Sequence, residues 1–105
     1  MKTGKFNSID KLLSELNLIP GTILNIGGDS NFFDCCHISI KPNKSNIKEG
    51  WIDSIHVFLA ENRSTAVTFS ITLKFDVEGA ERSTITVDKS WIDKNVSEIN
   101  IWSWK

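Results

Sequence analysis

AVTFSITLKFDV, residues 66–77, places Val67, Phe69, Ile71, Leu73, Phe75 and Val77 on one side and Thr68, Ser70, Thr72, Lys74 and Asp76 on the other. A period of two means that successive side chains leave the backbone on opposite faces, as in a strand that buries one face and wets the other. A strand of this kind belongs to an antiparallel sheet, because strands of a parallel sheet are covered on both faces and run apolar throughout.

Working outward, Ser8 is placed to cap a helix in which Ile9, Leu12, Leu13 and Leu16 recur at helical spacing, with Asp10 in the first turn where the helix dipole favours an acid. Pro20 and Gly21 forbid continuation and turn the chain. A helix this short is marginal alone, so its stability comes from burying those four side chains, at about 1.5 to 3 kcal/mol each. Six strands are expected after it, at Thr22–Ile26, Phe32–Lys41, Trp51–Ala60, Ala66–Val77, Arg82–Lys89 and Ser97–Trp104. Their connections carry no helical pattern, and all but PNKSNIKEG and SWIDKNV are too short for a right-handed crossover, so neighbours are expected to pair as a meander. A three-residue loop at Gly79, Ala80 and Glu81 would set Phe75 against Ile85 and Leu73 against Val87.

The second and third strands are apolar on both sides. In the third, Ile55, Val57 and Leu59 oppose Ile52 and Phe58, so the sheet must curl, fold over itself or leave an apolar patch for a partner. The expected fold is α+β: a single domain, residues 1–105, with an N-terminal helix packed on a six-stranded, curled antiparallel β-meander of half-barrel or sandwich-like form.

Composition narrows the function classes. A 40% hydrophobic and 24% charged chain is ordinary for a folded domain. No apolar run is long enough for a bilayer, and no apolar stretch follows the first lysines as a secretion signal would require, so a cytoplasmic location without membrane contact is expected. The net charge of −1 argues against nucleic acid as partner, since phosphate binding needs a surplus of Lys and Arg. Charge is nonetheless uneven: residues 1–48 sum to +2 and residues 49–105 to −3, an imbalance that an ordinary solvated surface also produces. Cys35 and Cys36 are adjacent and point to opposite faces of a strand, so free thiols are expected.

No catalytic signature is present. No Ser stands in a G-x-S-x-G elbow, and Gly27-Gly28 lacks the Lys and hydroxyl of a phosphate loop. No cofactor is expected. A register that sets Ile38 against Ile55 would put His37 opposite His56 with Cys35 on the same face, a set able to hold zinc; a histidine pair without function fits the same spacing. Trp51, Trp91, Trp102 and Trp104 either complete the core or supply an interface anchor. If Leu59 pairs with Val67, Trp51 comes level with Phe75, and Glu49, Asp53, Asp76, Glu78 and Glu81 gather at one end of the sheet. An acidic rim around an aromatic suits recognition of a basic surface.

The helix SIDKLLSELN, the strand AVTFSITLKFDV, the turn EGAE and the Trp-rich end EINIWSW together resemble, in size and layout, an immunity protein of a bacterial contact-dependent growth inhibition system. The resemblance implies a one-to-one complex that blocks a cognate protein toxin, often a nuclease. It carries no residue roles. The acidic and aromatic set Glu49, Trp51, Asp53, Asp76, Glu78 and Glu81 would be a sensible counterpart to a nuclease's cations. A small metal- or histidine-dependent enzyme centred on Cys35, His37 and His56 is the alternative, and a small-ligand binding module the third possibility.

Overall fold

In the computed structural model, which describes residues 3–6, 8–26, 36–59, 65–76 and 82–103, the chain runs β1 (Thr3–Phe6), α1 (Ile9–Leu16), β2 (Ile23–Asn25), β3 (Cys36–Pro42), β4 (Ile47–Leu59), β5 (Thr65–Phe75), β6 (Ser83–Asp88), α2 (Lys89–Asn95) and β7 (Val96–Ser103). It is an α+β fold in which seven strands form one open antiparallel sheet, ordered β1-β7-β3-β4-β5-β6 with β2 also paired to β4. β5 buries Phe69, Ile71 and Leu73 on one face, as its alternation requires.

α1 begins where Ser8 leaves the extended conformation and its side chain accepts the Lys11 N–H at 3.4 Å. Ile9 and Leu12 point into the core. The helix stops at Asn17, whose φ of 51° lies in the left-handed region and whose N–H closes on Leu13 and Ser14. Thr22 then donates to the Ile19 carbonyl at 3.1 Å across Pro20 and Gly21, with Gly21 at φ 86° in the turn position that glycine favours.

Two elements depart from the sequence-based expectation. Residues 3–6 form an edge strand on β7, with Phe6 opposite Ile99. SWIDKNV is not a loop but most of α2, capped by the Asp88 carboxylate on the Trp91 N–H at 2.9 Å and buried through Ile92. Seven residues hold too few turns for a periodicity to show. The expected six-strand meander is therefore reduced to β3–β6: β2 pairs with β4 instead of β3, and β7 crosses over to lie between β1 and β3.

That crossover shows how the sheet curls. The chain of antiparallel pairings makes β6 and β7 run in the same direction with β5, β4 and β3 between them. On a flat sheet four strand spacings of ~4.8 Å would separate them by roughly 19 Å. α2 joins them directly and advances only ~1.5 Å per residue, about 10 Å in all. The sheet bends to close the difference, and α2 packs on β5, β6 and β7 across the hollow. Asn43, just past β3, ties down the far end of α2: its N–H meets the Asn95 carbonyl at 2.9 Å and its amide the Lys94 carbonyl at 3.0 Å.

The two-sided apolar character of the third expected strand has a different explanation. β4 starts at Ile47, and its register with β5 slips between Ile47 and Glu49 and again between Ile52 and Ser54. Each bulge adds a residue on one side of the ladder and reverses the alternation. Ile47, Ile52, Ile55 and Val57 consequently all face the core, while Phe58 stays outside. Gly50 shares the inner face because a Cβ there would come within 2.9 Å of Leu73 Cδ2 and 3.1 Å of the Thr72 carbonyl oxygen.

The other registers also differ from expectation. Val57, not Leu59, pairs with Val67, and Trp51 is level with Thr72 instead of Phe75. Ile85 pairs with Ile71 and Val87 with Phe69, so apolar matching is kept at a different offset, and the last pair is Leu73 with Ser83, too early for a three-residue loop. Residues 79–81 themselves lie outside the described residues.

The inside and outside assignments are testable by truncation. Phe69→Ala, at 0% exposure, is expected to lower the unfolding free energy in urea by about 3 to 5 kcal/mol, and Phe58→Ala, at 39%, by less than about 1 kcal/mol.

Candidate functional site

The face of the sheet turned away from the helices carries Trp51 near its middle. Cross-strand pairing sets Ser39 on one side of it and Thr72 then Thr84 on the other, while Asn100 and Lys5 continue the same row beyond Ser39. Short polar side chains on the flanking strands leave one large ring in the centre, itself half-buried.

Three contacts fix this region. The Arg82 guanidinium lies over the Trp51 ring, 4.8 Å from its centroid. A cation on an exposed aromatic face contributes about 0.5 to 1 kcal/mol. Asp53, displaced by the second β4 bulge, accepts a short hydrogen bond from Thr72 Oγ1, which in turn lies 3.3 Å from Thr84 Oγ1. Glu49 pairs with Lys74 at 3.6 Å, both side chains about half exposed.

The expected acidic end is thus only partly assembled. Glu49 and Asp53 flank Trp51, but each has a partner, and Asp76 stands apart with its N–H on the Asn46 carbonyl at 3.3 Å. Glu78 and Glu81 lie outside the described residues. The face around Trp51 is therefore of mixed charge. The sequence also sets Lys48, Lys74 and Arg82 at this end as dilution of its acidic charge, and Arg82 is found there on the ring. Thr72 and Thr84 escape sequence reasoning because the assumed register moves Trp51 three positions along β5, although the shared parity of Thr72 and Lys74, opposite that of Phe69 and Ile71, is an available signal.

The histidines do not meet. His37 pairs with Trp102 of β7, and among the described residues β3 meets β4 at Ser39 with Trp51 and Ile40 with Gly50, three positions from the expected register. His56 is flanked by Ile23 of β2 and Thr68 of β5, because β2 occupies the part of the β4 edge that β3 was expected to fill. Its ring lies 3.8 Å from that of Phe58. Cys35 is outside the described residues, and among those described no three His, Cys, Asp or Glu side chains gather as a metal site. Of the tryptophans, Trp91 packs against the core. Trp104 lies outside the described residues.

A second feature lies on the helix side. Leu13, Leu18, Val57 and Val67 line an open groove of ≈ 270 Å³, with Asp10 and Lys89 at its rim. Those two groups form an ion pair at 2.5 Å between α1 and α2, and the hydrogen bond to Asp10 holds the Lys89 ammonium above its ordinary pKa. None of the described helices is long and apolar enough to cross a membrane.

At the β7 end of the outer face, the amide of Asn100 and then the ammonium of Lys5 hold the Glu98 carboxyl below its usual pKa, each donating at 3.1 Å. A depressed folded-state value favours folding above the unfolded value, about 4.3, and that contribution fades as pH falls through the folded value. Glu98→Gln should accordingly lose less stability than the parent chain between pH 6 and pH 3 in denaturant titrations. Comparison with family models, with curated proteins and with solved structures finds no match to this chain.

Proposed function

We propose that this chain is an immunity protein: it binds a cognate bacterial toxin one-to-one in the cytoplasm and neutralises it by covering the toxin's active site with the outer face of its sheet. The observation that carries the reading is the half-buried Trp51 in the middle of an open sheet face, with a cation, two carboxylates and two hydroxyls around it and a flat polar surround. Strands β4, β5 and β6 hold all of these groups except Arg82, which limits the side-chain order that binding must impose. An aromatic anchor at the centre of a polar rim is the usual anatomy of a strong protein interface.

The mixed charge refines what the toxin should present. Glu49 and Asp53 can receive the lysines or arginines of a nuclease site, whereas Arg82 requires either an acid opposite it or displacement from the ring by a partner cation. Burying any of these charges unpaired would oppose binding.

The test uses the protein encoded by the reading frame immediately upstream. Its C-terminal domain should be lethal when expressed alone and harmless when co-expressed with this chain. Trp51→Ala, and separately Glu49→Lys with Asp53→Lys, should each weaken the purified complex by about 30-fold or more, the size of a hot-spot loss. Absence of rescue by the parent chain would sink the immunity reading; rescue with unchanged affinity in these variants would remove the Trp51 face from it.

One observation favours a second reading, a small-ligand binding module. The ≈ 270 Å³ groove has an apolar floor and a charged rim. Native mass spectrometry of the purified chain would show an added small mass if that reading is right.

A further inference from the structure

β1 and β6, the outermost strands of the main ladder, are built differently. β1 is four residues long and carries Lys5, ion-paired to Glu98 of its neighbour at 3.1 Å. A short strand with a charge on it discourages a further strand. β6 is less protected: Ser83–Val87 carries no charge and no proline, its one charge, Asp88, stands at the last position, and its register with β5 has no bulge. Among the described residues it pairs only with β5, which leaves one row of backbone donors and acceptors open. On the inner face, Ile85 and Val87 pack against the core yet remain partly exposed.

We propose that β6 pairs with β6 of a second copy of this chain, antiparallel about a two-fold axis at Ile85, so that two sheets become one. Strand parity restricts the choice of axis. An axis between two residues would set Ile85 against Thr86 and join the inner face of one copy to the outer face of the other; an axis on a residue keeps both inner faces together. With the axis on Ile85, that residue meets its own counterpart, Val87 meets Ser83, and Thr84 meets Thr86. At both ends Arg82 then stands opposite the partner's Asp88. Moving the axis to Thr84 or Thr86 leaves both charges without an opposite, so charge complementarity selects Ile85. Pairs of this kind are about 5 Å apart at Cβ, well within the reach of an arginine that the single chain holds only over the exposed face of Trp51. The pairing goes beyond the immunity reading and does not rest on it: the Trp51 face of each copy stays turned outward, although Arg82 is drawn from the ring toward the partner's strand.

Sedimentation velocity on the full chain, from about 1 to 200 μM, tests this directly. The parent is expected to approach twice the 11.8 kDa chain mass as concentration rises. Thr84 and Thr86 are exposed, so substitutions there spare the core. Thr84→Lys with Thr86→Lys sets lysines opposite lysines at two places and should raise the dimer dissociation constant at least about tenfold; Thr84→Glu with Thr86→Glu should do the same. An equimolar mixture of the two variants should regain the dimer, and circular dichroism checks that each keeps its fold. A parent chain that stays at single mass throughout overturns the proposal. So does a lysine variant that still dimerises as the parent does, a mixture that stays monomeric, or a single-mass parent that takes up an unrelated extended peptide along β6.

Discussion

Everything in the sheet depends on keeping Ile47, Gly50, Ile52, Ile55 and Val57 on one face of a single strand thirteen residues long. Simple alternation cannot do this, since the set mixes odd and even positions. The two bulges in β4 do, and they set the rest: β3 pairs before the second bulge, β2 pairs after it on the same edge, and β5 follows the whole length on the other. A strand bent at two places also twists more strongly, which suits a sheet that has to be bridged by a helix of seven residues. The bulge at Asp53 serves the outer face as well, because it turns that carboxylate toward Thr72 and beside Trp51.

The parts legible in the sequence are those governed by one local rule. Alternation in β5, the Ser8 cap, the apolar spacing of α1 and the turn at Pro20-Gly21 each depend on residues close in sequence, and all stand where expected. The registers are a different matter. Apolar matching fixes parity but leaves offsets of two and four residues open, and a bulge changes parity itself. Ile71 with Ile85 satisfies the same matching rule as Phe75 with Ile85; what separates them is where the strands run out, a property of the fold as a whole. The candidate site suffered most, because each of its expected juxtapositions multiplied two uncertain offsets. His37 and His56 are the clear case: the β3–β4 register lies three positions from the expected one, and β2, a strand the sequence shows but places beside β3, pairs with β4 and sets Ile23 against His56.

The helices are held by burial and not by charge. α1 contributes Ile9 and Leu12 and α2 contributes Ile92, each removed from water against the inner face, and burial of such a side chain is worth about 1.5 to 3 kcal/mol. The Asp10–Lys89 contact between them is exposed to solvent and salt, and orients more than it stabilises. Both helices lie on the inner side, so the outer face carries none of their packing.

That division bears on how recognition would work. A net charge of −1 gives the molecule little long-range field, so steering by overall charge cannot supply the specificity that an inhibitor of one toxin needs. On the proposed reading, specificity would come from short range, where the groups around Trp51 are arranged with a cation on the ring and carboxylates to either side. A partner that presents positive charge everywhere would meet Arg82 at a cost, while one that places cations beside Glu49 and Asp53 and an acid or an apolar group at the ring would not. Mixed charge on a rigid face rejects wrong partners by leaving buried charges unpaired, and that rejection is stronger than the attraction any single surface ion pair provides.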